Sequence, residues 1–199
     1  MTRILIFKLG IILGLLAVPG CNAAGERAVA PTPAATLEVV AENKSLPTPM
    51  LPAQMAVYDE IRVVMKEAEI TSSYLTEYGS EREPPAGKNI IWINILLKNI
   101  GEREKYLPES ENFSVLMGVT EFKSTYGHRK DHADYMALPP DLVPGQAVDA
   151  WLRFDIPAGL GLEDLMFAFH PESSQISFGF PSSDYPWGDH PVYLWTCSP

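Results

Sequence analysis

The segment Gly127-His128-Arg129-Lys130-Asp131-His132-Ala133-Asp134-Tyr135 holds the densest group of potential metal ligands in the chain. His128 and His132 stand four apart, a spacing that puts two imidazoles on one face of a helix, and Asp131 and Asp134 could add oxygens. A metal site needs three or four such groups converging. Arg129 and Lys130 in the same stretch oppose a cation. The expected role is therefore a solvated loop between strands, open to a binding function, with His128, Asp131 and His132 only weak candidates for a metal. A second group lies near the C-terminus. Phe178/Phe180, Tyr185/Trp187 and Tyr193/Trp195 are three aromatic pairs, each two residues apart, so in a strand each pair shares a face. Exposed, they would form a stacking platform for sugar rings or a partner protein; buried, they cap a core. Burial is expected for most of them. Asp184-Tyr185-Pro186-Trp187-Gly188-Asp189-His190-Pro191 reads as a loop, which makes Tyr185, Trp187 and His190 the expected ligand-contacting residues.

Signatures of catalysis are missing. The chain has no Gly-x-Ser-x-Gly elbow and no Gly-Lys-Ser/Thr phosphate loop. Gly159-Leu160-Gly161 does not complete a dinucleotide fingerprint, because Asp164 stands where the third glycine belongs. No Cys/His cluster has zinc spacing. Neither catalysis nor a cofactor is expected.

Cys21 carries the strongest chemical signature. A basic head (Arg3) precedes an apolar stretch whose clean part, Leu9 to Val18, is ten residues long. A membrane-spanning helix needs about twenty, whereas a signal-peptide core needs about 7–15. The exit Leu16-Ala17-Val18-Pro19-Gly20-Cys21 resembles a bacterial lipoprotein signal, with an aliphatic residue at −3, a small one at −1, then cysteine. Pro19 departs from that pattern. Ordinary secretory cleavage after Ala23 or Ala24 and an uncleaved anchor are the alternatives. Lipidation of Cys21 would supply two or more acyl chains, enough for stable attachment. It would also leave Cys197 as a lone thiol, expected to be a small, partly buried side chain.

The formal net charge is −10, and loss of residues 1–20 removes Arg3 and Lys8 but no acid, making it −12. Such a surface repels phosphate backbones, so no nucleic-acid partner is expected. It also disfavours docking on anionic lipid, so a covalent lipid is the sensible attachment to a membrane.

The elements that position these groups follow from periodicity. Residues 21–54 alternate Pro31, Pro33, Pro47, Pro49 and Pro52 with Ala, Thr and Ser, the composition of a disordered tether. Residues 55–199 hold most of the aromatics and suffice for one core. Their period is two. Ile61, Val63 and Met65 alternate, then Ala68 and Ile70 take the opposite parity, which predicts a bulge. Ile91, Ile93, Ile95 and Leu97 form one face and Ile90, Trp92 and Leu96 the other, which predicts a central strand. Further strands are expected at Phe113–Met117, Ala150–Ile156, Leu165–Phe169, Gln175–Phe180 and Val192–Thr196. Pro144-Gly145 suits the centre of a type II turn, Asn99 and Gly101 suit positive φ at a strand exit, and Pro157 ends a strand. The fold class is all-β: an antiparallel sandwich of about seven strands.

Three of these pieces, in this order, look like a known family: Ile61-Arg62-Val63-Val64-Met65-Lys66-Glu67-Ala68, the strand Ile91 to Leu97 ending in Asn99-Ile100-Gly101, and Pro144-Gly145 through Phe154-Asp155-Ile156-Pro157. The chain resembles the immunoglobulin-like (telokin-like) extracellular domains of bacterial lipoproteins, over about Val57 to Phe169. Residues from about 171 fall outside the resemblance. It implies an immunoglobulin-like sandwich and an extracytoplasmic location, and no reaction. The expected function is a lipid-anchored module with a binding or structural role at the cell envelope, its partners the membrane through Cys21 and an envelope protein or a glycan. The alternatives are a glycan- or solute-binding lipoprotein using the C-terminal aromatics, and an envelope metal protein or enzyme.

Overall fold

A computed structural model describes residues 47–172 and 190–199. Their strands are β1 (Met55–Tyr58), β2 (Ile61–Thr71), β3 (Tyr74–Leu75), β4 (Glu81–Arg82), β5 (Lys88–Asn99), β6 (Lys105–Tyr106), β7 (Phe113–Met117), β8 (Thr120–Thr125), β9 (Asp141–Leu142), β10 (Ala147–Pro157), β11 (Met166–Phe169) and β12 (Tyr193–Thr196). Eight of them form one antiparallel ladder in the order β1-β2-β5-β10-β8-β7-β11-β12; β3–β4 and β6–β9 are two-residue pairs. No helix among the described residues is long and apolar enough to cross a membrane.

The ladder folds over on itself where β10 meets β8. Only Arg153↔Thr125 and Phe154↔Ser124 pair there, against eleven residue pairs between β10 and β5. The two halves therefore face each other as a β-sandwich, with eight strands in the main ladder where about seven were expected. One core runs between them, from Val63, Met65, Ile93 and Phe154 on one side to Val115, Phe167 and Trp195 on the other. Phe113 stacks on Phe167 (centroids 5.8 Å apart) and on Phe169 (5.1 Å) at its centre. Offset ring pairs of this kind add about 0.5–1.5 kcal/mol beyond the area they bury.

The opposite seam is closed by the chain's N-terminal stretch. Met50 bridges Trp195 in parallel, its N–H donating to Leu194 O (2.8 Å) while its carbonyl accepts from Thr196 N–H (2.9 Å). The indole of Trp195 donates to Gln54 O and the Tyr193 hydroxyl to Val57 O. Side chains of β12 thus occupy one carbonyl of the edge strand β1 and the Gln54 carbonyl just before it. Residues 47–54, assigned from composition to the tether, therefore contribute backbone hydrogen bonds to the sandwich. Five prolines raise extended-chain content, but they do not prevent Met50 from pairing.

Local expectations meet the backbone in detail. β5 lies between β2 and β10 with both faces covered, as its two-sided apolar pattern requires. The register of β2 on β5 shifts between Met65 and Glu67, the bulge that the parity change predicts. Gly145 has φ 78° and Gln146 N–H donates to Val143 O (3.0 Å), a turn centred on Pro144-Gly145. Asn99 and Gly101 differ from expectation: neither has positive φ. Asn99 instead works through its buried amide, which donates to Arg103 O and Leu142 O and accepts from Gly101 N–H. A Cβ at Gly101 would lie 2.6 Å from Glu60 Oε2, so the exposed Glu60 side chain would have to move aside for any larger residue. Positive φ falls on Asp59 (45°) and Glu60 (63°), a glycine-free two-residue turn between β1 and β2. Cys197 is buried, with its thiol pushed up to about 12 by burial, while Cys21 lies outside the described residues.

Candidate functional site

The histidine loop is built into the sheet. Between β8 and β10 the chain runs along the edge of β10, where Trp151 N–H donates to Ala133 O and Asp134 bridges Trp151 in parallel. From there His132 lies over the outer face of the sheet. Its ring stacks on Trp151 (3.8 Å, 11°) and meets the edge of Trp92 (5.4 Å, 88°). Arg129 reaches Glu69 and lies 5.8 Å over the Trp92 ring, and Arg153 lies 5.4 Å over Tyr74. Gly127 permits the approach of Arg153, because a Cβ there would lie 2.7 Å from its Cδ.

This corrects the expectation of a solvated loop in part: the His132 side chain is only 8% exposed and Tyr135 is buried, whereas Lys130, Asp131 and Ala133 remain exposed, and Trp92, Trp151 and Tyr74 form a second, smaller apolar layer beneath. It also directs His128 away from the other two proposed metal ligands, while Asp131 Oδ1 stays 3.5 Å from His132 Nδ1. The stretch is not helical, so the i, i+4 spacing has no common face to act on. His132 Nε2 is 3.1 Å from Glu69 Oε1, His128 Nδ1 is 3.0 Å from Asp134 Oδ2, and Asp131 pairs with Arg129 at 2.8 Å. Each imidazole has its own carboxylate, and among the described residues no group of three or more His, Cys, Asp or Glu converges as a metal centre would. Burial holds His132 below its ordinary value, with the charge of Arg129 adding to that and Asp131 opposing it. Its chemistry is that of a neutral ring sealing two tryptophans.

A second polar group sits in the core. His170 is fully buried, with Nε2 3.2 Å from Ser114 Oγ and 3.5 Å from Glu121 Oε1. Serine, histidine and glutamate together suggest acyl transfer, but the geometry refuses it. A relay needs the serine and the carboxylate on opposite ring nitrogens, and here both approach Nε2. Ser114 is also inaccessible to a substrate. Burial raises Glu121, yet hydrogen bonds from His170 and Lys123 outweigh it and bring the carboxyl down to about 2. Burial lowers His170 despite Glu121 beside it. This network fixes β7, β8 and β11 in register.

Among the described residues, a cavity of about 410 Å³ lies against the histidine loop, lined by Ser73, Tyr74, Leu75, Arg129, Lys130 and Asp131, and a cleft of about 360 Å³ that gathers tyrosines and carboxylates lies at the turn end of β1 and β2. The cleft's volume lies within the range of small-molecule sites. The β1–β2 turn supplies Tyr58 and Asp59, and the β6 strand supplies Tyr106, with Leu107, Pro108 and Glu109 following. Phe169 and Asn112 close the back. Tyr106 is 80% exposed. The strained turn is held by Lys105, whose ammonium is 2.9 Å from both Asp59 Oδ1 and Glu60 Oε2. Beside the cleft, Glu172 accepts from the Tyr58 hydroxyl (2.9 Å) and pairs with His190 Nδ1 (2.9 Å). Those two partners, His190 first, hold the Glu172 carboxyl below its usual range, and Glu172 in turn raises Tyr58.

Of the expected ligand-contacting residues, His190 thus stands one side chain away from the cleft, while Tyr185 and Trp187 lie outside the described residues, as do Phe178 and Phe180. Trp195 is buried, as expected of most of these aromatics. Sequence reasoning missed Tyr58, Tyr106 and Glu109. The readable signal was Tyr58-Asp59-Glu60-Ile61, where two charged residues interrupt an apolar alternation.

No family model matches the chain, and no curated protein matches it. Solved bacterial structures do. The chain is similar to the yjhA protein of Bacillus subtilis, at 12% identity and TM-score 0.50, over 73% of this chain and 97% of that one. It is also similar to a functionally unknown protein of Listeria monocytogenes, at 10% identity and TM-score 0.48, over 74% and 84%. A third is an uncharacterised β-sandwich protein of Clostridium difficile, at 12% identity and TM-score 0.43, over 76% and 97%. At 12% identity, the likeness to the yjhA protein shows the fold alone.

Proposed function

We propose that the protein is an exported, lipid-anchored, immunoglobulin-like binding module of the bacterial envelope, with the Tyr58–Tyr106 cleft as its ligand site. One observation carries the binding role: a ligand-sized concavity that joins two tyrosines to Asp59 and Glu109 beside an exposed rim. Concave sites with a few convergent polar groups are where small ligands and side chains are held. The anchoring role rests on the sequence, through the short apolar core, the cysteine after a small residue and the proline-rich stretch behind it. The resemblance to telokin-like lipoprotein domains supports the same reading, and no catalytic role is assigned.

Metabolic labelling with a clickable fatty acid tests the anchor. Wild-type chain takes up label and sediments with membranes, and Cys21→Ser loses both. Membrane retention of unlabelled Cys21→Ser overturns lipidation.

A further inference from the structure

We infer that the cleft receives a basic side chain, lysine or arginine, of an extended peptide whose neighbouring apolar residue occupies an adjoining hollow. The inference rests on the cleft being the ligand site and names what it selects.

The cleft is rich in acceptors and poor in donors. Its charged lining residues are Asp59 and Glu109, and among the described residues no lysine or arginine lines it, although Lys105 pairs with Asp59 at the rim. Most donors that could serve a ligand are already engaged, the exposed Tyr106 hydroxyl being the exception. Asn112 Nδ2 donates to His170 O and Pro171 O (3.2 Å each), and Tyr58 donates to Glu172. Leu107 N–H donates to Pro140 O (2.7 Å), and Pro108 has no N–H. A sugar hydroxyl both donates and accepts, so a neutral glycan would bring acceptors that find few partners here. An ammonium or guanidinium brings donors only and matches the lining.

The aromatic wall favours the same charge. Tyr106 presents an exposed ring beside the two carboxylates, and a cation over a tyrosine face gains about 0.5–1 kcal/mol when exposed and about 2 when desolvated. The rim already clasps one ammonium, that of Lys105, between Asp59 and Glu60. Over longer range, the net charge of −10 steers cations toward the surface.

A peptide is favoured over a free amine by what lies across the wall. Leu107, Pro108 and Glu109 also border a second cavity of about 380 Å³, lined on its apolar side by Met136, Leu138, Pro139 and Pro140 and on its polar side by Ser110, Glu111 and Tyr135. A simple polyamine could set a second ammonium against Glu111 but would leave the Met136, Leu138 and Pro139 wall uncovered. A peptide offers an apolar side chain to this hollow while its basic neighbour enters the Tyr106 side.

The test uses the full chain in detergent micelles and a fluorescein-labelled peptide of alternating lysine and leucine, read by anisotropy. The peptide binds, and raising salt from about 0.05 to 0.5 M weakens it as exposed ion pairing requires. Tyr106→Ala and Glu109→Gln each weaken it about tenfold, and the glutamate-for-lysine peptide does not bind. Tyr106 is exposed, so its substitution leaves the fold intact by circular dichroism. A neutral oligosaccharide that binds through Tyr106 while the basic peptide does not would overturn the charge preference and leave the cleft standing. If neither probe responds to Tyr106→Ala, the cleft and the inference fall together.

Discussion

Acidification to pH 5 destabilises this sandwich through two buried imidazoles. His170 faces Ser114, Glu121 and, one charge further, Lys123; His132 faces Glu69, Arg129, Asp131 and the two tryptophans. Burial lowers both below the ordinary 6.5. The unfolded chain therefore takes up protons first as pH falls through 6.5, and stability drops until the folded values are reached. Each pH unit in that window is worth about 1.36 kcal/mol per group, so by pH 5 each histidine removes at most about 2 kcal/mol, and the pair about 4. Glu121 does not contribute in this window. Its carboxyl is depressed to about 2, so its stabilisation persists above 4.5 and is lost between 4.5 and 2. Against a typical total of about 5–15 kcal/mol, a loss approaching that bound is readily measured. Urea unfolding of wild type and His170→Gln at pH 7.5 and 5.0 reads it directly. Wild type loses stability on acidification, by no more than about 4 kcal/mol, and His170→Gln loses less, the difference being no more than about 2 kcal/mol. An identical pH response in the two proteins refutes the reasoning.

Three other outcomes follow from the packing. Gly127→Val drives a side chain into Arg153 and Tyr74 and lowers stability by about 1–3 kcal/mol, read as a drop in the urea midpoint; an unchanged midpoint would show that the loop is not held over the sheet. Glu60→Gly relieves a positive φ and raises stability by about 1 kcal/mol in the same assay, even with one Lys105 contact gone; a loss would show that the ion pair outweighs the strain. Cys197 resists a thiol reagent at pH 8 in the native state and reacts once the chain is unfolded in urea, because its thiol is buried and raised to about 12; rapid native labelling would contradict that burial.

The strands were legible because each apolar pattern had one cause. The alternation of Ile91, Ile93, Ile95 and Leu97 against Ile90, Trp92 and Leu96 has only one place to go, a central strand, and the parity change after Met65 has one remedy, a bulge. Other elements obey no local rule. β8 (Thr120–Thr125) is half-polar because it crosses between the two halves of the ladder, so Phe122 is its one strong apolar signal. Met50 pairs with β12 across more than 140 residues, and nothing in a proline-rich stretch announces such a partner. The candidate site was less legible still. The histidine segment is the loop its sequence suggests, but nothing in its spacing announces that its imidazoles face separate acids. The cleft unites Tyr58, the Tyr106–Asn112 stretch and Phe169 from three distant parts of the chain, and their proximity is a property of the sandwich.

Aromatic proton–carbon correlation spectra of the full chain, recorded during titration with the basic peptide, test the binding site most directly. The account predicts that the ring resonances of Tyr106 and Tyr58 move first and together, while those of the exposed Tyr78 and Tyr126, outside the cleft, stay in place. Shifts confined to Tyr78 or Tyr126, with Tyr106 unmoved at saturation, would contradict it.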